Sequence, residues 1–518
     1  MKVTYNKNGS GGVIRWDYED WLAGLAFNNA DTTAQPFPIA LTNGLAWMER
    51  INPFNRVGFM RSGPLAVSLT NASAVTATLT GITNGTATGS TAYAVGGNLF
   101  HEINLTTNTV TNAGAFPRSV TNSTMSNTVA YFIGTTRYVF YSYTLSGGGT
   151  GNVGRYDLVS TFNDTWLSTG SHAGASALST DQVPHKLSVS PRKDRMYIPD
   201  GRNLHSFDGQ VGANGTLTLN RLQLPLGFVI TSITYTDNYC VIFAYRSGTA
   251  GTAYAGEATA YYWDEVSEDP TFVVPLNANY VDGAFTYKNT PGCFVQTGTA
   301  LFNSFTKNNH LVLINGNVPE SKFSYSFNYG IPIQEGVQVS GNNILWNSTG
   351  TVWQYGDGNT GFKPVTIRLA QGRGSTSGIL KSLFLNSLYS SSGTSTSGGA
   401  EVFSSTFSAG NFTTLMADID VPDGKIARLS HVRNEWGQFK TSGLSTLIQS
   451  LSVLDGTTTT TTIKAAATLP RRSIDRYIPG SNGYVAPRFQ SIQLFASYND
   501  ETEYIKALEV HFNFEDYS

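Results

Sequence analysis

The sequence predicts a mainly β chain, and three observations carry that expectation. Charged residues fill 13% of the 518 positions, about half the usual share of soluble domains, so the polar surface must come from Ser, Thr, Asn and backbone. Helix formers are scarce, with only six Met, while 26 Tyr and 29 Phe accompany many Thr and Val, residues that suit a pleated, half-buried surface. The 53 Gly gather with Asn and Asp between short apolar runs, as tight strand turns require.

The chain opens differently. After Gly9-Ser10-Gly11-Gly12, residues 16–27 place Tyr18, Trp21, Leu22 and Leu25 at i, i+3, i+4 and i+7, behind Asp17, Glu19 and Asp20. That spacing predicts one amphipathic helix with acids at the positive end of its dipole. A second block, Gly44-Leu45-Ala46-Trp47-Met48-Glu49-Arg50 followed by Ile51-Asn52-Pro53-Phe54-Asn55-Arg56, mixes aromatics with arginine. Residues 1–65 are therefore expected to be an arm without a core of its own.

From residue 66 one unit recurs: strand, tight turn, second strand with an aromatic, turn. Ala92-Tyr93-Ala94-Val95 leads to Leu99-Phe100-His101-Glu102-Ile103; Met196-Tyr197-Ile198 leads through Asp200-Gly201-Arg202-Asn203 to Leu204-His205-Ser206-Phe207; Ile344-Leu345-Trp346 leads to Val352-Trp353-Gln354-Tyr355. The central turns fall near residues 98, 150, 202, 253 and 350, with a further copy around 308–316. A period of about 50 residues, each worth four strands, is the mark of propeller blades, which bury their faces only by stacking. The expectation is a degenerate β-propeller of about six blades over 66–362. Beyond it the strands lengthen, and 363–518 suits one β-sandwich. Within it Asp455-Gly456 and the six threonines 457–462 predict a low-complexity loop or edge hairpin.

Several chemistries are excluded at this level. The net charge is −2, and the basic residues form no stripe for a polyanion. No secretory leader and no apolar run of membrane-span length is present, which predicts a soluble protein. Cys240 and Cys293 lie in apolar runs and act as small hydrophobes, in keeping with a reducing cytoplasm. The seven histidines are scattered without metal-ligand spacing, no nucleophile elbow or phosphate loop occurs, and no cofactor is expected. One acidic cluster, Glu257, Asp264, Glu265, Glu268 and Asp269 around Trp263, could supply the paired carboxylates of a propeller glycosidase, but so local a cluster fits a polar outer loop better, since propeller sites draw residues from several blades. The aromatic residues, 12% of the chain, could line a sugar-binding groove.

The segments Gly11-Gly12-Val13-Ile14-Arg15-Trp16, Asn52-Pro53-Phe54-Asn55-Arg56-Val57-Gly58-Phe59 and Tyr504-Ile505-Lys506-Ala507-Leu508-Glu509-Val510-His511-Phe512, in this order of arm, propeller and sandwich, resemble virion proteins of tailed bacteriophages, in particular the propeller-bearing tail tubular or nozzle proteins. That resemblance implies a non-enzymatic structural subunit, assembled in the host cytoplasm. It would form a homo-oligomeric ring, a hexamer in the nozzle families, against other tail or connector proteins, with DNA passing through unbound and no membrane partner. Trp16, Trp21, Trp47, Pro53, Phe54 and Arg56 are then the candidate subunit interface, since so short an arm cannot bury these rings alone. The alternatives are a virion protein that binds a receptor or host surface glycan and, third, a propeller glycoside hydrolase.

Overall fold

A computed structural model describes residues 1–17, short strands between 45 and 62, most of 64–246 and 256–356, strand segments between 364 and 407, and most of 410–517. These residues form antiparallel strands almost throughout, and among them the only helical element is the 3-10 turn Gln334–Gly336. The helix expected over 16–27 is corrected at its start. Trp16 ends the strand Gly11–Trp16, which pairs with Tyr504–Asp516 from Gly11↔Asn513 to Trp16↔Leu508. Ile14 and Trp16 are fully buried and alternate with half-buried Val13 and Arg15, so a period of two runs up to Trp16, where the helix was expected to start. Residues 18–27 lie outside the described residues.

The chain divides into two compact units: residues 66–351 with 370–403, and residues 1–65 with 352–369 and 404–518. The segment 1–65 thus groups with the terminal region.

Within the first unit, five complete four-stranded sheets succeed one another. They run from Gly81–Asn84 to Thr109–Val110, Ser123–Ile133 to Phe162–Asn163, Ser188–Ser190 to Thr216–Gln223, Phe228–Tyr235 to Phe272–Pro275, and Tyr280–Tyr287 to Val318–Ser326. Two more four-stranded sheets begin with Val337–Ser340 and Ile379–Lys381, and the last takes Pro64–Ser68 as its fourth strand. Each first strand touches the next, and the seventh touches the first. A closed ring of first strands, each opening an antiparallel meander, is a β-propeller.

Hairpin chemistry sets the meanders. Asp200 pairs with Asn203, leaving Gly201 at φ +60 and Arg202 as a two-residue loop, the turn whose twist matches its strands. Among the described residues of the first five sheets, the core clusters join neighbouring sheets. One cluster joins Phe140 and Val153 of the second sheet, and Trp166 in the turn after it, to Met196, Ile198 and Phe207 of the third, with the Trp166 and Phe207 rings edge to face at 4.8 Å. Another joins Tyr197 and Leu204 of the third to Ile242 and Trp263 of the fourth, and a third joins the fourth to the fifth. Burying each such side chain contributes about 1.5–3 kcal/mol, and only stacking makes that burial possible.

The second unit holds two six-stranded sheets. The first has the order Lys2–Tyr5, Gly11–Trp16, Tyr504–Asp516, Lys425–Gln438, Ile474–Tyr477, with Arg488–Phe489 also on Lys425–Gln438. The second has the order Leu45–Glu49, Gly410–Thr414, Ser491–Tyr498, Leu444–Leu454, Thr457–Leu469, with Ala417–Asp418 also on Ser491–Tyr498. The threonine run forms the start of that last, edge strand. Leu454 pairs with Thr457 across Asp455 at φ +47 and Gly456 at φ +75, a two-residue turn with both central residues left-handed.

Candidate functional site

Three first strands of the propeller carry a register shift against their second strand, between Met125 and Asn127, Ile230 and Ser232, and Asp282 and Phe285. Such bulges re-aim side chains, and at each lies a buried polar residue: Asn127, Ser232 and Asp282. The third bulge needs Gly283 at φ +65, where a Cβ would approach the Pro332 carbonyl to 2.9 Å. That close approach packs the segment leading into the 3-10 turn Gln334–Gly336 against the fifth sheet. The turn is fixed to the fourth sheet as well, because the Ile233 N–H donates to Gln334 Oε1 at 2.9 Å.

The turn presents Glu335. Lys186, two residues ahead of Ser188–Ser190, donates to Glu335 Oε2 at 2.7 Å, and Asn127 Nδ2 donates to Glu335 Oε1. Asp282 shares their electrostatic environment: its Oδ1 accepts the Gly283 N–H at 2.7 Å and its Oδ2 lies 3.4 Å from the Tyr280 hydroxyl. Burial pushes the Asp282 carboxyl up to about 7, and the charge of Glu335 adds to that rise against the pull of Lys186 and the Gly283 N–H. Four sheets and one turn thus assemble a carboxyl that exchanges its proton near neutrality beside an ion-paired carboxylate. A buried carboxyl whose surroundings push it toward neutrality is suited to acid–base chemistry.

The acidic cluster singled out from the sequence does not converge in this way. Asp264 accepts N–H bonds from Ser267 at 2.8 Å and Val266 at 2.9 Å and the Ser267 hydroxyl at 2.7 Å, which together draw its carboxyl down to about 2. It caps its own loop. Glu265, buried at φ +65, lies 3.5 Å from Arg192 Nε, and only Glu268 and Asp269 reach a groove of about 670 Å³, shared with Arg202, Arg221 and Tyr261. Trp263 is buried, its indole N–H donating to the Ser267 carbonyl at 2.8 Å.

Of the six interface candidates, Trp16 is fully buried in its own sheet, and Trp47 stands on the strand Leu45–Glu49. Trp21, Pro53, Phe54 and Arg56 lie outside the described residues. Among the described residues no group of three or more His, Cys, Asp or Glu is placed to hold a metal, and no helix is long and apolar enough to cross a membrane. Cys240 and Cys293 are free thiols, fully buried, and burial raises both above the usual thiol range.

Asn127, Lys186, Asp282 and Glu335 were not singled out from the sequence. The available signal was a lone acid inside an apolar strand, Val281-Asp282-Gly283-Ala284-Phe285, and a lone lysine in His185-Lys186-Leu187.

No family model and no curated protein matches the chain. Among solved structures it is similar to an ancestral GH74 enzyme at 12% identity and a TM-score of 0.45, covering 70% of this chain and 51% of that one. It thus spans about half of that enzyme's length. It is also similar to the Dos1 propeller at 10% identity and a TM-score of 0.40, covering 65% and 95%. A third is the PQQ-bound aldose sugar dehydrogenase from Streptomyces coelicolor, at 9% identity and a TM-score of 0.35, covering 66% and 99%. These neighbours correct the functional expectation. Two of the three are enzymes and none is a phage tail protein, so the non-enzymatic tail subunit through which DNA exits is set aside.

Proposed function

We propose that the chain is a seven-bladed propeller enzyme that hydrolyses glycosidic bonds, joined to a β-sandwich unit. The observation that carries the reading is the convergence of Asp282 and Glu335 from separate elements, with the Asp282 carboxyl pushed up to about 7 and Glu335 bound by Lys186. In this reading Asp282 gives its proton to the glycosidic oxygen as the bond to the sugar breaks. Glu335 takes a proton from the water that attacks the sugar carbon, and exchange with solvent restores both groups. Lys186 and Asn127 hold Glu335 in place.

The test is release of reducing ends from a panel of soluble polysaccharides and chromogenic glycosides by the full chain, Asp282→Asn and Glu335→Gln. Loss of one proton-transfer group predicts a fall of about 10²–10⁴ in each variant. Absence of turnover by the parent, or undiminished turnover in both variants, overturns the reading. A second reading rests on the near-complete burial of Lys186, Asn127 and Asp282: the cluster clamps the ring, and the propeller is a binding scaffold. It predicts variants with altered stability and no parent turnover. A virion location and self-association are proposals resting on the sequence resemblance; a monomer by light scattering at every concentration removes the second.

A further inference from the structure

In the second unit the threonine strand lines a groove of about 600 Å³. Thr457, Thr459 and Thr461 share one face of the strand Thr457–Leu469, and at a rise of about 3.3 Å per residue their hydroxyls recur every ~7 Å. Opposite stand Arg428 and Arg488, with Asp455 at the hairpin turn. None of the three threonine hydroxyls has a hydrogen-bond partner among the described residues.

Both guanidiniums hold the same carboxylate, Glu515, from Arg488 Nε at 2.6 Å and from Arg428 Nη1 at 3.2 Å. Each keeps further N–H donors in its planar fork. Asp455 accepts from the Tyr517 hydroxyl and, at 3.3 Å, from Gln490 Nε2. Asp455 in the lining and Glu515 behind it offset the two guanidiniums, so the groove offers an ordered set of donors and acceptors with little net charge to draw in a phosphate or sulfate.

We propose that this groove binds a neutral glycan chain. A row of hydroxyls that both donate and accept meets the hydroxyls of successive sugars. The forks of Arg428 and Arg488 span vicinal hydroxyl pairs, and the threonine methyls cover the apolar ring faces between them. The site is independent of the propeller carboxylates and stands whether or not they are catalytic.

The test is affinity electrophoresis of the full chain through gels containing dextran, galactomannan or, as an anionic control, hyaluronan. A triple variant Thr457→Val, Thr459→Val, Thr461→Val keeps β-branched strand formers while removing the hydroxyls. The pair Thr458→Val, Thr460→Val alters the opposite face and reports any effect on folding. The expected result is retardation of the parent by dextran or galactomannan, weakened at least tenfold in the triple variant and unchanged in the pair. The inference is overturned by no retardation of the parent in either neutral gel, by equal retardation of the triple variant, or by retardation in hyaluronan alone. It is also overturned if loss of the hydroxyls changes only the oligomeric state, which would mark the edge strand as a protein contact. Asp282→Asn should be retarded like the parent, so failure of the propeller reading leaves this result intact.

Discussion

Two lysine–glutamate pairs of nearly equal length sit in the two units. In the propeller Lys186 and Glu335 are 2.7 Å apart, with side chains 1% and 8% exposed. In the other unit Lys506 and Glu435 are 2.8 Å apart, with side chains 50% and 21% exposed. Distance therefore says little about what either pair is worth. Water solvates the second pair whether or not it forms, so its strength is screened and its loss is mild. The first has left water behind, and each member keeps the other from standing as an uncompensated buried charge.

The comparison is broken most sharply at Lys186. Lys186→Ala strands Glu335 beside Asp282, and a loss of about 3–5 kcal/mol is expected in urea unfolding near neutral pH. A loss below 1 kcal/mol would show that water reaches the cluster.

Next in size is the response to pH, which the two units give with opposite signs. Asp282 has a folded value of about 7 against an ordinary 3.8, so the folded chain binds the extra proton between them. Stability is then fullest below about 4 and falls as pH rises through 7, by up to roughly 4 kcal/mol. Asp282→Asn removes that loss and should be more stable than the parent at pH 8, with the advantage vanishing toward pH 4. His431 behaves in reverse. Burial, then the charge of His511, whose ring stacks on it at 4.1 Å, and that of Arg476 draw it down to about 4. The unfolded chain binds the proton first, and stability falls as pH drops from about 6.5 toward 4. Amide-exchange protection, taken relative to the intrinsic exchange rate at each pH, should therefore fall in Lys425–Gln438 on acidification and in Tyr280–Tyr287 on raising the pH; parallel changes would remove the contrast.

The smallest effect belongs to Lys506→Ala. It should cost under about 1 kcal/mol and less still in high salt, as measured by denaturant midpoints at two ionic strengths.

Local chemistry was the legible part of the chain. The β class follows from composition, and the Asp200 to Asn203 turn follows from residues that permit a left-handed loop. Longer-range facts left no local trace. Asn127 and Lys186 meet Glu335 across 208 and 149 residues, so no spacing rule finds them. Trp16 read as the start of a helix because its strand partner, Leu508, lies near the other end of the sequence. The threonine run read as low complexity because period two is invisible when every position holds the same residue, and only its neighbours distinguish the two faces.

The pairing of Gly11–Trp16 with Tyr504–Asp516 also sets an order in time. Arg15 meets Glu509 across 494 residues, and a ribosome adding about 5–20 residues per second needs roughly 25–100 s to deliver the second after the first. Throughout that interval Ile14 has only its hairpin partner Val3, and Trp16 lacks its partner Leu508. The consecutive sheets between residues 81 and 326 can meanwhile close on their neighbours as they emerge, so Gly11–Trp16 receives its second partner, Tyr504–Asp516, after most of the propeller has paired. A nascent chain stalled before residue 504 should expose this aromatic segment to chaperones while its propeller sheets are already protected.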